Sequence, residues 1–92
     1  MTTARVDVDS AMAADAMQAA YFRGTLADER EYIAGHAQKH RDEMARRIAS
    51  GMLSGVPQLR SQLRSQEAEL RYLDGLIAQL DRKFAHLWGT RN

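Results

Sequence analysis

The second half of the chain repeats with a period of seven. Leu59, Leu63, Gln66, Leu70, Leu73, Ile77, Leu80, Phe84 and Leu87 alternate at spacings of four and three. A 3.5-residue period keeps one helix face turned toward a partner as two helices wind about each other. At about 1.5 Å per residue such a seam is roughly 40 Å long. The segment is therefore expected to be one long helix that packs along its length against another. Tyr72, Leu76 and Trp88 lie beside the seam and widen the apolar face toward the C-terminal end. Gln66 is the polar exception, with two readings: a solvent-facing position near a splayed end, or a polar residue that fixes register. Gly75 within the helix costs about 1 kcal/mol relative to alanine. It is either tolerated by a strong helix or marks close approach by a neighbouring helix.

The partner helix has to come from the first half or from another molecule. Between the halves runs Ser50, Gly51, Met52, Leu53, Ser54, Gly55, Val56, Pro57, with the chain's single proline. Gly51 suits the left-handed position after a helix end, and Pro57 suits the first turn of the next helix. A short turn of this kind predicts antiparallel arms. In the first arm, residues 1–9 show no helical stripe and read as a flexible tail. Ser10 is a candidate N-cap for an alanine-rich run. Gly24, followed by Thr25 and Asp28, resembles a helix stop and a capping box. These signals predict helices over about 10–23, 26–50 and 57–88, with one continuous helix over 10–50 as the alternative. Leu26, Ile33, Ala37, Met44 and Ile48 share one face of the longer piece, interrupted by Arg30 and His40.

Composition limits the function classes. The chain has 92 residues and a formal net charge of +1. Fifteen residues are alanine, and Leu, Ile, Val and Phe together number 17, a thin supply of core-forming side chains. With no cysteine, disulfides and thiolate metal sites are excluded. No apolar run reaches the roughly 18 residues needed to span a bilayer, and the N-terminus lacks a signal-peptide pattern. The expectation is a soluble, cytoplasmic protein of one small domain over residues 10–92.

Motifs for chemistry are sparse. His36 and His40 stand at i and i+4, with Glu43 beyond, a spacing that can chelate a divalent ion. Ala37 occupies the position where the zinc-protease motif has its glutamate, so the pattern is not that motif. Two rim histidines beside Lys39 and Arg41 are the simpler reading, and no metal or cofactor is expected. A nucleophile elbow and a phosphate-binding glycine loop are both missing from the sequence. Arg71-Tyr72-Leu73-Asp74 and Leu80-Asp81-Arg82 are similar to the opening helix of the chorismate mutases, but here they stand in the second arm. The chain is read as a non-enzyme. Lys39, Arg41, Arg46 and Arg47, with Arg60 and Arg64 across the turn, form a basic end that would suit phosphate contacts. Asp42 and Glu43 interrupt that run and the whole chain is nearly neutral, so nucleic-acid binding is the alternative reading and not the first.

The first reading is helix-mediated protein binding. Tyr21, Phe22, Tyr72, Leu73, Leu76, Ile77, Leu80, Phe84 and Trp88 are the candidate partner-binding residues, because two antiparallel helices cannot cover all of them. Met12, Met17, Met44 and Met52 add adaptable packing surface. The stretches Gly55-Val56-Pro57-Gln58-Leu59, Gln66-Glu67-Ala68-Glu69-Leu70 and Leu76-Ile77-Ala78-Gln79-Leu80 resemble, in layout, the small helical-hairpin co-chaperones of type III secretion systems. The resemblance covers about residues 40–88 and rests on turn and periodicity. It implies a partner docked on the hairpin's apolar face. The fold class expected is all-α, an antiparallel coiled-coil-like hairpin with a short extra N-terminal helix. Its expected role is an adaptor, chaperone or inhibitor that binds another protein or a second copy, with a homodimer anticipated.

Overall fold

The computed structural model describes the backbone of residues 2–89 and the side chains of residues 10–89. The chain is an all-α helical hairpin. Helix α1 spans Thr2–Ala49, helix α2 spans Val56–Phe84, and a single 3₁₀ turn, Ala85–Leu87, extends α2. The molecule measures 74 × 23 × 15 Å, a plank one helix thick.

The turn forms as its glycines direct. Gly51 and Gly55 take φ of 76° and 83°. At the end of α1 the Met52 N–H donates to the Arg47 carbonyl (2.9 Å) and the Gly51 N–H to the Ile48 carbonyl (3.2 Å). This pair of bonds is the Schellman arrangement, which needs a left-handed residue at Gly51. Pro57 stands in the first turn of α2. The Arg47 guanidinium reaches across and donates to the Ser54 carbonyl at 2.7 Å. Val56 is buried at the base of the hairpin.

On α2 every seam position from Leu59 to Phe84 is buried or half-buried, Leu63 and Leu73 the most enclosed of them, while Leu87 is exposed. Gln66 faces the other arm: its Oε1 is 2.9 Å from His40 Nδ1, making a polar rung inside the seam. Gly75 is open on its outer side, with no atom within 4 Å of the position a Cβ would take. No helix of the hairpin itself approaches it closely.

Helix α1 departs from the expectation. The break near Gly24 does not occur, and the helix continues from Thr2 through the stretch read as a tail, so the hairpin has no separate N-terminal helix. Met1 lies outside the described residues. The reason is a second seam. Ala16, Ala19, Arg23, Leu26, Arg30, Ile33, Ala37, His40, Met44 and Arg47 alternate at three and four, and all are buried or half-buried. The alternation passes residue 24 without a phase shift, so packing on both sides holds one helix axis. The Thr25 hydroxyl donates back to the Tyr21 carbonyl at 3.3 Å instead of capping a new helix, the mid-helix habit of threonine. The cost of Gly24, about 1 kcal/mol, is offset by the burial of Ala19 and Leu26 against α2.

Candidate interaction surface

The heptads place two distinct faces on the plank. On one, α2 presents Glu67, Asp74 and Asp81, and Trp88 follows just past the 3₁₀ turn, each seven residues after the last, and each makes a polar contact with α1. Asp81 accepts two bonds from the Arg23 guanidinium, at 2.6 and 3.1 Å. Asp74 accepts a paired contact from Arg30 in the same way. Glu67 accepts from Arg41 at 3.4 Å. The Trp88 indole N–H donates to the Ala16 carbonyl at 2.7 Å, and its ring stacks on Phe84 at 6.0 Å. These contacts fix register, since a shift of either helix breaks the forked pairs together. Arg23 holds the Asp81 carboxyl below the ordinary aspartate value through its hydrogen bond, against a smaller opposing effect of desolvation.

The other face carries exposed aromatic side chains. Phe22, Tyr32 and Tyr72 are 50, 66 and 65% exposed. Tyr32 and His36 meet edge to face at 4.6 Å. An open groove of about 560 Å³ runs at the Phe22 end, bounded by Asp15, Phe22, Leu80, Lys83 and Phe84. Lys83 caps the Phe84 ring at 5.4 Å. Leu76 is seven residues before Lys83 and therefore on this same face, as is its i−4 neighbour Tyr72. A second groove, about 370 Å³, opens on the opposite side between Met12, Met17, Leu87 and Trp88.

The nine expected partner-binding residues thus separate into groups. Leu73 is buried in the seam, so it serves the hairpin and presents no surface. Ile77, Leu80 and Phe84 are half-buried between the arms, and Trp88 is turned inward onto α1. Tyr21, Phe22 and Tyr72 stand exposed, with Leu76 half-exposed beside them. Sequence reasoning missed Tyr32. Its heptad row, Gln18, Thr25, Tyr32, Lys39 and Arg46, is otherwise polar, so no apolar period marks it.

Half of the basic end is committed to internal contacts. Glu43 accepts from Arg47 (2.8 Å) and from Arg46, and these two hydrogen bonds hold its carboxyl below the ordinary glutamate value. Arg41 pairs with Glu67. Lys39, Arg60 and Arg64 lie exposed. Of the two histidines considered as ligands, His40 contacts Gln66 and His36 packs on Tyr32. Among the described residues no three His, Asp or Glu side chains converge on a common point for a metal ion. No helix there is long and apolar enough to cross a membrane.

No protein-family model, no curated protein and no solved structure matches the chain.

Proposed function

We propose that the hairpin is a non-catalytic binding module that buries the face around Phe22, Tyr32, Tyr72 and Leu76 against a partner protein or a second copy. One observation carries the reading. The hairpin satisfies its own seam yet leaves three aromatic rings of one face at least half exposed, while among the described residues no large side chain is fully buried. Large apolar side chains left exposed on one face mark interaction sites. Burying each such ring contributes about 1.5–3 kcal/mol before ordering costs. Adaptor, chaperone and inhibitor roles all use a surface of this chemistry.

The test is site-specific photo-crosslinking in cells that express the full chain. A photoreactive phenylalanine analogue at Tyr72 is expected to give discrete adducts. The same analogue at Ala68, on the outer side of α2, is expected to give none. Equal labelling at both positions, or none at either, overturns the reading.

A further inference from the structure

We propose that the tip of the hairpin docks on an anionic lipid surface, with Met52 and Leu53 entering the interface and Arg60 and Arg64 meeting lipid phosphates behind them. None of these residues belongs to the aromatic face, so this proposal goes beyond the binding-module reading and the two stand or fall separately.

The first argument is the apolar tip. Turn positions favour Gly, Pro, Asn, Asp and Ser. The bonds of this turn run through the backbone, from the Met52 N–H to the Arg47 carbonyl and from the Val56 N–H to the Leu53 carbonyl. Neither needs an apolar side chain, and Val56 supplies the buried contact at the base. Met52 and Leu53 nonetheless stand 63 and 61% exposed at the end of the plank, with Ile48 49% exposed behind them.

The second argument is charge. From Met44 to Gln66 the chain holds four arginines and no acid. Arg46 and Arg47 share the single carboxylate of Glu43, which offsets one of those charges. Arg60 and Arg64 are exposed, and among the described residues neither has an ion-pair partner. The other half of the plank, residues 10–31 and 74–89, holds six acids and four bases. Charge is therefore divided along the 74 Å length, and a negative surface attracts the molecule tip first.

The two features together select lipid. At about 1.5 Å per residue, Arg60 and Arg64 stand roughly 6 and 12 Å behind the start of α2. An interfacial segment sinks about 5–10 Å into the boundary between headgroups and acyl chains. Guanidinium groups at those heights reach the phosphates as the tip enters, with their stems lying along apolar surface. Nucleic acid offers similar phosphates but gives no reward for an exposed methionine and leucine. No helix among the described residues is long and apolar enough to cross a membrane, so the contact is with the surface.

The experiment is co-sedimentation of the full chain with vesicles of phosphatidylcholine, alone or with about 30% phosphatidylglycerol. Circular dichroism accompanies every variant. The parent is expected to bind the anionic vesicles, to ignore the neutral ones and to be released by added salt. Arg60→Glu combined with Arg64→Glu is expected to lower partitioning at least about twentyfold, since each arginine near the surface contributes roughly fivefold. Met52→Ser combined with Leu53→Ser is expected to lower it about tenfold at unchanged helicity. Arg82→Glu, which reverses an exposed charge at the far end, is expected to bind as the parent does. Depth is read by fluorescence. Trp88 is the only tryptophan and sits against Ala16 at the far end, so the parent's emission is expected not to shift. Leu53→Trp is expected to shift to the blue on the vesicles and to be quenched by brominated acyl chains.

A parent that ignores anionic vesicles overturns the proposal. So does binding that survives the serine pair, or an introduced indole whose emission does not move, because charge alone then holds the chain. A loss with Arg82→Glu as large as with the tip arginines overturns it as well. A labelled single strand of about 20 nucleotides is titrated in parallel. Binding to it that exceeds binding to vesicles, and that needs Arg60 and Arg64 but not Met52 and Leu53, assigns the tip to nucleic acid and removes lipid.

Discussion

Both helices hold a seam of threes and fours, but they fill it differently. From Leu59 to Phe84, α2 uses leucine, isoleucine and phenylalanine with one glutamine. Over the matching length α1 uses Ala16, Ala19 and Ala37, three arginines and a histidine, with Leu26, Ile33 and Met44 between them. The bulk therefore comes from α2, and α1 offers a shallow surface for it to lie on, with arginine stems covering apolar area and their heads paired at the edge. The two helices contribute different kinds of stability, burial from one side and register from the other.

The largest effect that tests this division is a pair of truncations. Leu73→Ala removes a buried α2 side chain and is expected to cost about 2–5 kcal/mol. Arg30→Ala, from the same seam on α1, is expected to cost far less, because its ion pair with Asp74 is partly exposed and screened by solvent. Urea unfolding of both variants at one protein concentration decides the matter. Equal losses would show that the arms share the burden and that the contrast is wrong.

A mid-sized effect probes the shallowness of α1 directly. Ala37 has no exposed surface, and it lies on the side that receives the bulk of α2. Ala37→Leu is expected to destabilise by about 1–3 kcal/mol through overpacking, although leucine is a good helix former. Thermal melts measure it. A neutral or stabilising result would mean that the arms have room between them at this level.

The same contrast explains what could be read from the sequence. The α2 seam was legible because large apolar residues announce their period. The turn was legible because Gly51 and Pro57 have few other uses. The α1 seam was hidden, because alanine, arginine and histidine at seam positions look like surface residues until a partner covers them. With that periodicity unseen, Gly24 and Thr25 were read by local chemistry alone, as a stop and a cap. Tertiary packing overrode both. The candidate surface was half legible: Phe22, Tyr72 and Leu76 were found as surplus, while Tyr32 was lost in a charged stretch. Trp88 was recognised as important, but its indole N–H bonds the Ala16 carbonyl, a long-range contact that no sequence spacing reveals.

Gly24 itself gives a smaller and opposite effect. It is helical and exposed, and a Cβ there meets nothing within 4 Å. Gly24→Ala is therefore expected to stabilise by about 0.5–1 kcal/mol. Were Gly24 a left-handed stop between two helices, alanine would be strained there and the sign would reverse. The midpoint of a urea titration separates the two geometries, so this substitution tests the continuity of α1.

The smallest effect concerns the registering edge. Arg23 holds the Asp81 carboxyl below its ordinary value of 3.8. A carboxyl lowered in this way stabilises the folded state fully at pH values above its unfolded pKa. That contribution is lost as the pH falls through the ordinary value toward the lowered one. Below neutral pH the parent is therefore expected to lose melting temperature most steeply under pH 4, and Asp81→Asn to lose less over the same interval while starting slightly lower at pH 7. Added salt is expected to shrink the difference, since both side chains are more than a third exposed. Leu73→Ala carries no such pH signature and is expected to shift the whole curve without changing its acid slope. Acid slopes that match in the parent and Asp81→Asn would place the registering role elsewhere on the edge, with Asp74 or Glu67, and would remove Asp81 from the division of labour between the two arms.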